Sequence, residues 1–312
     1  MGGDYAPDEA VKGVKMYFEQ TLDTDVHLLL IGDPVAAAPY LTSLDEYRDR
    51  FTLIEASEVI GMHEHPTKAL KEKPNSSIAI GFGLLQKGKS DAFISAGNTG
   101  AMLVGAMYSI KTIEGVLRPS IASPLPNING GYNFLLDVGI NADCKPEHLV
   151  QFAQLGSIYA RHVLGVEEPR VALLNLGEEE GKGNILCQAT YPLLKDQAGI
   201  NFVGNVEGRD IFLDKAEVVV CEGFVGNVVI KMAESVYDIF KVAKGFQDDL
   251  LDSFNFEVYG GTPVLGINSP VIIGHGISHA LAFKNMIELV CKLTRSNLIG
   301  AFKEHFKPAP TQ

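Results

Sequence analysis

Three times in this chain an apolar strand pattern runs into a short stretch of Gly, Asn and a polar residue, and a helical pattern follows. The first is Asp91–Ser95, then Ala96-Gly97-Asn98-Thr99-Gly100, then an apolar run from Ala101 to Ile113. The second is Val171–Leu176, Gly177 to Asn184, and a helix beyond; the third is Val218–Cys221, Glu222 to Asn227, and Val228–Phe240. Glycine lets backbone approach a ligand closely, and the unpaired N–H groups of a helix start favour an anion. Loops leaving one parallel sheet meet at the C-terminal ends of its strands, where open α/β sheets bind ligands. The chemistry suggested is that of an enzyme handling a phosphate-like anion. The plainer reading of each loop alone is ordinary turn chemistry.

Familiar nucleotide and hydrolase signatures are missing. Gly177-Glu178-Glu179-Glu180-Gly181-Lys182-Gly183 has the wrong spacing for a P-loop, and its three carboxylates repel a triphosphate. No G-x-G-x-x-G follows an early strand, and there is no G-x-S-x-G elbow. His275 and His279 stand four apart without the glutamate of an H-E-x-x-H site, so no metal is expected. What remains is a set of polar motifs: Asn98 and Thr99; Arg118-Pro119; Asp137, Asn141, Asp143 and Lys145; Lys182 and Asn184; Asn205, Glu207, Arg209 and Asp210; Asn227 and Lys231. Each has a structural alternative: Asn141 and Asp143 as helix caps, Lys231 as a surface charge, Arg209–Asp210 as a local ion pair.

The elements that must position these residues alternate along the whole chain. A helix carrying Val11, Val14, Phe18 and Leu22 precedes a strand at Val26–Ile31, and a helical stretch at Val35–Tyr47 precedes another at Phe51–Ala56. The helix Ser76–Gln86 leads into the first loop, and strands near Ile121–Ser123 and Asn133–Val138 lead to a helix opening at Pro146. Asn255 to Gly276 is read as irregular, followed by one long terminal helix from Ser278 and a frayed tail at Lys307–Pro310. Alternating strands and helices imply a mainly parallel sheet.

Bulk properties narrow the class. A net charge of −12 argues against nucleic-acid binding, which needs a basic footprint. Cys144, Cys187, Cys221 and Cys291 form no C-x-x-C pair, which fits reduced thiols in a cytosolic protein. No signal peptide or membrane-spanning run is read.

Five motifs in order give a more specific reading. Ser95–Gly100, Leu136–Pro146, Gly204–Asp210, Gly223–Asn227 and Tyr259–Gly266 resemble the bacterial phosphate acyltransferase (PlsX) family over nearly the whole chain. The resemblance implies a three-layer α/β/α fold with a mainly parallel sheet, like isocitrate and isopropylmalate dehydrogenases and related to phosphotransacetylases. It implies one catalytic α/β domain over residues 1–312, or two lobes with the site between them. It also implies that a first strand, which family members carry before Met-Gly-Gly-Asp, is missing here; His279, where the family tends to have Asn, is the other departure.

The reaction implied is transfer of a fatty acyl group from acyl carrier protein to inorganic phosphate, with no cofactor and no metal. The product serves a membrane glycerol-3-phosphate acyltransferase. A homodimer in the cytoplasm, peripherally associated with the inner membrane, is the implied setting. Lys182 and Asn227 are placed near the reacting groups, Asn98 and Thr99 in the phosphate cradle with Gly97 and Gly100, and Arg209 as a second cation. Asn141, Asp143, Lys145, Asn184, Asn205 and Glu207 complete the expected substrate-binding set. The rivals are a phosphotransacetylase using acetyl-CoA and a non-catalytic lipid-binding regulator.

Overall fold

A computed structural model describes residues 2–307; Pro308 and the rest of the expected tail lie outside the described residues. Among these run ten strands: β1 Leu28–Gly32, β2 Phe51–Glu55, β3 Phe93–Ser95, β4 Ser120–Pro126, β5 Tyr132–Leu136, β6 Arg170–Leu174, β7 Asn201–Val206, β8 Val218–Val220, β9 Thr262–Leu265 and β10 Val271–Ile273. The chain divides into two units, one holding the residues up to Lys111 with Phe256–Arg295, the other Thr112–Asn255 and the stretch from Ser296.

In the first unit β1 and β2 pair in parallel, Leu28 opposite Phe51. Separately, β3 pairs in parallel with β10, which pairs antiparallel with β9. The helix Asp8–Gln20 buries Val11, Val14, Tyr17 and Phe18 in a core shared with Leu30, Leu44 and Ile287. It lies so close to the helix Ala280–Arg295 that a Cβ on Gly13 would come within 2.4 Å of the Phe283 Cβ. This helix stops where Thr21 turns extended (φ −107°, ψ 135°), so Leu22 leaves the apolar stripe and is fully exposed, contrary to expectation. The stretch read as irregular, Asn255 to Gly276, holds β9, β10 and the short helix Phe256–Tyr259.

In the second unit the order is β4-β5-β8-β6-β7, with β4 antiparallel to β5 and the remaining four mutually parallel. Phe134–Leu136, Val171–Leu174 and Val218–Val220 are buried throughout, the mark of parallel strands covered on both faces. The helix Pro146–Tyr159 supplies fully buried Leu149, Phe152 and Leu155, and Gly156 lets it settle on Val218 and Leu136. The single terminal helix read from the sequence is two, Ala280–Arg295 and Leu298–His305, because Asn297 adopts a left-handed conformation (φ 53°) between them. The third Gly-Asn stretch is likewise not a loop: Gly223 to Asn227 are the opening turns of the helix Gly223–Val236.

One ionic latch ties the N-terminal ends of β6 and β8. Glu217 accepts the Arg170 backbone N–H at 2.6 Å and its guanidinium at 2.5 Å, and Arg170 also reaches Asp214 at 2.6 Å. Burial raises the Glu217 pKa, but the bonds from Arg170 outweigh this and leave it below the usual value. A carboxylate with a depressed native pKa contributes stability above its unfolded pKa and loses it as pH falls through the native value. Glu217→Gln is therefore expected to cost about 1–3 kcal/mol at neutral pH. The gap from the parent should close below about pH 4, read by urea unfolding across pH; a gap independent of pH would contradict the latch.

Candidate functional site

Because β5, β8, β6 and β7 are parallel neighbours, the segments that follow them emerge along one edge of the second unit. At the end of β5, Asp137 is fully buried. Its carboxylate accepts N–H groups from Ile121 (3.1 Å), Ile140 (3.4 Å) and Asn141 (2.7 Å), and the Asn141 side-chain amide at 2.8 Å. Burial pushes this carboxyl above its ordinary pKa, against those N–H groups. Asn141 also donates to the Pro119 carbonyl at 2.8 Å, so its amide ties the segment together and caps no helix. Asp143 caps none either; its carbonyl accepts a bond from Arg118 at 3.3 Å. Lys145 is exposed, its backbone N–H bonded to His148.

The helix after β8 is built directly onto this loop. The Gly223 N–H donates to the Asn141 carbonyl at 2.7 Å, and a Cβ on Gly226 would sit 1.9 Å from the Asp137 carbonyl oxygen. Glycine here serves close backbone approach. Glu222 caps the helix by accepting the Val225 N–H at 2.9 Å. Burial raises the Glu222 pKa, and the Asp137 and Asp143 carboxylates add to the rise. One turn on, the Asn227 amide donates to the Val138 carbonyl at 3.3 Å and lies over Gly139, with the residue otherwise exposed.

The loops after β6 and β7 are joined to each other. Asn205 is buried and donates to the Glu179 carbonyl at 2.9 Å, while its Oδ1 has no partner. Lys215 bridges Glu178 (2.7 Å) and Asp210 (2.9 Å). Within the β6 loop, Asn175 donates to the Lys182 carbonyl at 3.1 Å, fixing that backbone. The Lys182 side chain is half exposed, its ammonium 4.0 Å from Glu179. Asn184 caps the helix Ile185–Lys195 by accepting the Cys187 N–H at 2.8 Å. The expected Arg209–Asp210 pair is replaced: Arg209 meets Glu207 at 2.8 Å, and Asp210 accepts the Glu207 N–H as well as Lys215. Lys231 likewise is not solitary but pairs with Glu234 at 2.7 Å.

The first Gly-Asn loop belongs to the first unit. The Gly97 N–H donates to the Ser95 hydroxyl at 3.1 Å. Asn98 is buried: its Oδ1 caps Ala101 at 2.9 Å, and its amide donates to the carbonyls of Gly61, Met62 and Glu64. Its side chain thus organises two loops. Thr99 is exposed, and Gly100 abuts Pro66. His279 stacks on Tyr5 and His275 lies against Phe256, so the two rings face different partners. Among the described residues no three His, Cys, Asp or Glu side chains are grouped to hold a metal.

The second-unit edge therefore gathers Asn141, Asp143, Asn205, Glu207, Arg209 and Asn227 with the loop of Lys182. Sequence reasoning passed over Glu222, whose signal was an acid directly after Val-Val-Val-Cys and before Gly-x-x-Gly-Asn, the place of a helix cap. Gly226→Ala is expected to cost about 3 kcal/mol, the upper range for overpacking, since the atom it meets is backbone. Gly83→Ala, with nothing within 4 Å, should instead gain about 0.5–1 kcal/mol. Thermal melts of the pair check this, and a neutral Gly226→Ala would show the helix start to be loosely placed.

Comparison with known proteins follows the same lines. The family described as fatty acid synthesis protein matches residues 1–300. A phosphate acyltransferase of Halothermothrix orenii is 42% identical over 97% of this chain and 96% of its own. One from Salinibacter ruber is 40% identical over 98% and 96%. Among solved structures, a phosphotransacetylase from Streptococcus pyogenes superposes with a TM-score of 0.64 at 16% identity, covering 93% of this chain and 92% of that one. A branched-chain phosphotransacylase from Enterococcus faecalis gives 0.61 at 14%, covering 94% and 96%. These two bear on the fold alone, and they bear out the expected α/β fold, shared with phosphotransacetylases. The near full-length match to the family, with relatives at this identity, places the chain in the fatty acid synthesis protein family, to which it belongs together with phosphate acyltransferases.

Proposed function

We propose that this chain is an acyltransferase that moves a fatty acyl group from acyl carrier protein to inorganic phosphate, giving acyl phosphate for phospholipid synthesis. The observation carrying this reading is the near full-length similarity to phosphate acyltransferases. A hydrogenphosphate oxygen attacks the thioester carbonyl, the C–S bond breaks, and the carrier leaves as thiol with the proton that phosphate gives up. Phosphate is already nucleophilic at neutral pH, so holding it in line with the carbonyl matters more than a general base. Donors must face the oxyanion that develops.

Lys182 is assigned to charge stabilisation, because its backbone is fixed by Asn175 while its ammonium stays half exposed. Asn227, over Gly139 beside the Asp137 loop, is assigned to orient the reacting groups. Gly97, Asn98, Thr99 and Gly100 are assigned to shaping the phosphate cradle, Asn98 by fixing backbone. Arg209 and Lys145 are further cations, with Asn141, Asp143, Asn184, Asn205 and Glu207 holding the loops that carry them. Glu222, held at the helix start beside the Asp137 loop, is assigned to relay the proton that phosphate gives up to the departing thiolate.

The reading is tested by following thioester loss with purified protein. Consumption of long-chain acyl carrier protein should require phosphate and proceed without NAD, ATP or added metal; activity that persists without phosphate, or stops with a chelator, contradicts it. Lys182→Ala should lower turnover at least about 100-fold, as for loss of an oxyanion donor, with melting unchanged. Near-normal turnover would return Lys182 to a solvated surface role.

The finer setting belongs to the same proposal: a cytoplasmic homodimer, peripheral on the inner membrane, supplying a glycerol-3-phosphate acyltransferase. No helix among the described residues is long and apolar enough to cross a membrane. Phe240, Val242 and Phe246 are exposed beside Lys244, an apolar and basic face for carrier or membrane. An acidic chain must steer an acidic carrier by such a local patch. Lys241 is largely occupied by Asp252 at 2.7 Å, Lys73 is held by Glu64 and the Val59 carbonyl, and Lys68 lies 4.0 Å from Glu72. Lys244→Glu should weaken the apparent affinity for acyl carrier protein severalfold at low salt, with Lys241→Glu adding to it. An unchanged affinity moves docking to Lys71 and its neighbours.

A further inference from the structure

The helix Gly223–Val236 has two unlike faces. Gly223, Gly226, Ile230 and Ala233 are buried, the first two against the loop after β5. On the other side Phe224, Val228 and Met232 stand four residues apart and are exposed by 65%, 44% and 67%. Side chains at that spacing lie one above another on a helix, so the three form a continuous apolar row. At a rise of roughly 1.5 Å per residue the row is about 12 Å long. Single exposed apolar residues are ordinary on a protein surface, but an aligned row marks contact with something apolar.

The row begins at groups assigned to the reaction. Val228 follows Asn227 directly, and Phe224 comes just after Glu222, which caps this helix. The Lys182 loop leaves the same edge, since Leu173 of β6 is in register with Val220 of β8. Asn184 closes that loop by capping the next helix start at Cys187. Burial pushes the Cys187 thiol up and the Glu222 carboxylate adds to the rise, so the two helix starts are neighbours. Leu176 and Ile185, on either side of the Lys182 loop, are largely exposed as well. Polar groups at one end, with an apolar row leading away from them, match an amphipathic substrate with a thioester head and a hydrocarbon tail. An acetyl group cannot use a row of this length, whereas a longer acyl chain can extend along it without burying a polar atom.

We infer that Phe224, Val228 and Met232 form the surface on which the acyl chain of the donor rests, and that the extent of this row sets the preferred chain length. The inference rests on the proposed acyl transfer and deepens it. With the carbonyl beside Asn227, the first carbons of the chain meet Phe224 and Val228, and only carbons farther out reach Met232. Each methylene fully removed from water is worth about fourfold in affinity, and less on an open face. Preference should therefore rise with chain length over the row and flatten beyond it.

The test measures kcat/KM, with phosphate, for butyryl, octanoyl and dodecanoyl groups carried on acyl carrier protein. Phe224→Ser should lower the dodecanoyl-to-butyryl ratio at least about 10-fold, and Phe224→Leu should restore most of it. Met232→Ser should lower that ratio about threefold and leave the octanoyl-to-butyryl ratio where it was, a gradation that general damage does not produce. It also carries the test if Phe224→Ser melts early. Leu193→Ser removes an exposed apolar side chain from another helix and should leave every ratio unchanged. Unmoved ratios in the Phe224 and Met232 variants overturn the inference. If sedimentation then changes, the row is an interface between copies; if binding to anionic lipid vesicles weakens instead, it belongs to a membrane. A binding readout keeps this separate from the reaction. By calorimetry, Phe224→Ser should weaken binding of the dodecyl thioether of pantetheine and leave the butyl thioether unchanged, even if no phosphate-dependent turnover is found. Equal weakening of both, or of neither, overturns the inference while leaving the reaction to its own test.

Discussion

The architecture of the second unit turns on a buried carboxylate, that of Asp137, surrounded by N–H donors. Taking an ionised group out of water costs several kcal/mol unless donors replace the lost solvent. Asp137 meets this with N–H groups from Ile121, Ile140 and Asn141 and from the Asn141 side chain. Those donors come from β4 and from the loop after β5, and the Asp137 N–H itself bonds to the Cys221 carbonyl beyond β8 at 2.9 Å. Three strand ends are thus held in register by one residue.

From this knot the chemistry-bearing groups take their places. The Asp137 carbonyl leaves no space at Gly226, so the helix start is pinned, and with it Glu222 and Asn227. Burial lifts the Glu222 pKa and the Asp137 charge adds to the rise, coupling a structural carboxylate to a half-buried one. On the far side of the edge, Asn205 and Lys215 tie the loop after β7 to the loop of Lys182. Fixed backbone carrying solvent-exposed cations suits the proposed positioning of an anion that arrives from water.

How much of this was legible depended on what kind of signal each residue gives. Continuous apolar runs such as Val171–Leu174 and Val218–Val220 announce buried parallel strands, and Pro146 announces a helix start. Gly-Asn stretches are ambiguous. Asn98 and Asn184 read as ligand-binding residues and both cap helices, whereas Asn141 and Asp143, for which a cap is the alternative, cap none. Gly223 and Gly226 suggest a loop because glycine is flexible, whereas here its missing Cβ is what matters, and that depends on the distant residues Asp137 and Asn141. Leu22 was assigned to a helix by spacing alone, which carries no information on where Thr21 ends the helix. Ion-pair exchange among Arg209, Asp210, Glu207 and Lys215 is set by tertiary distance, so neighbours in sequence mislead.

In the proposed reaction the acyl group ends on a phosphate oxygen. The most direct measurement is ³¹P NMR of purified protein with inorganic phosphate and a long-chain acyl carrier protein. Transfer to phosphate gives a new acyl phosphate resonance that grows in step with free carrier thiol and is lost when hydroxylamine is added. Release of thiol with fatty acid as the only acyl product, and no new phosphorus signal, would contradict it.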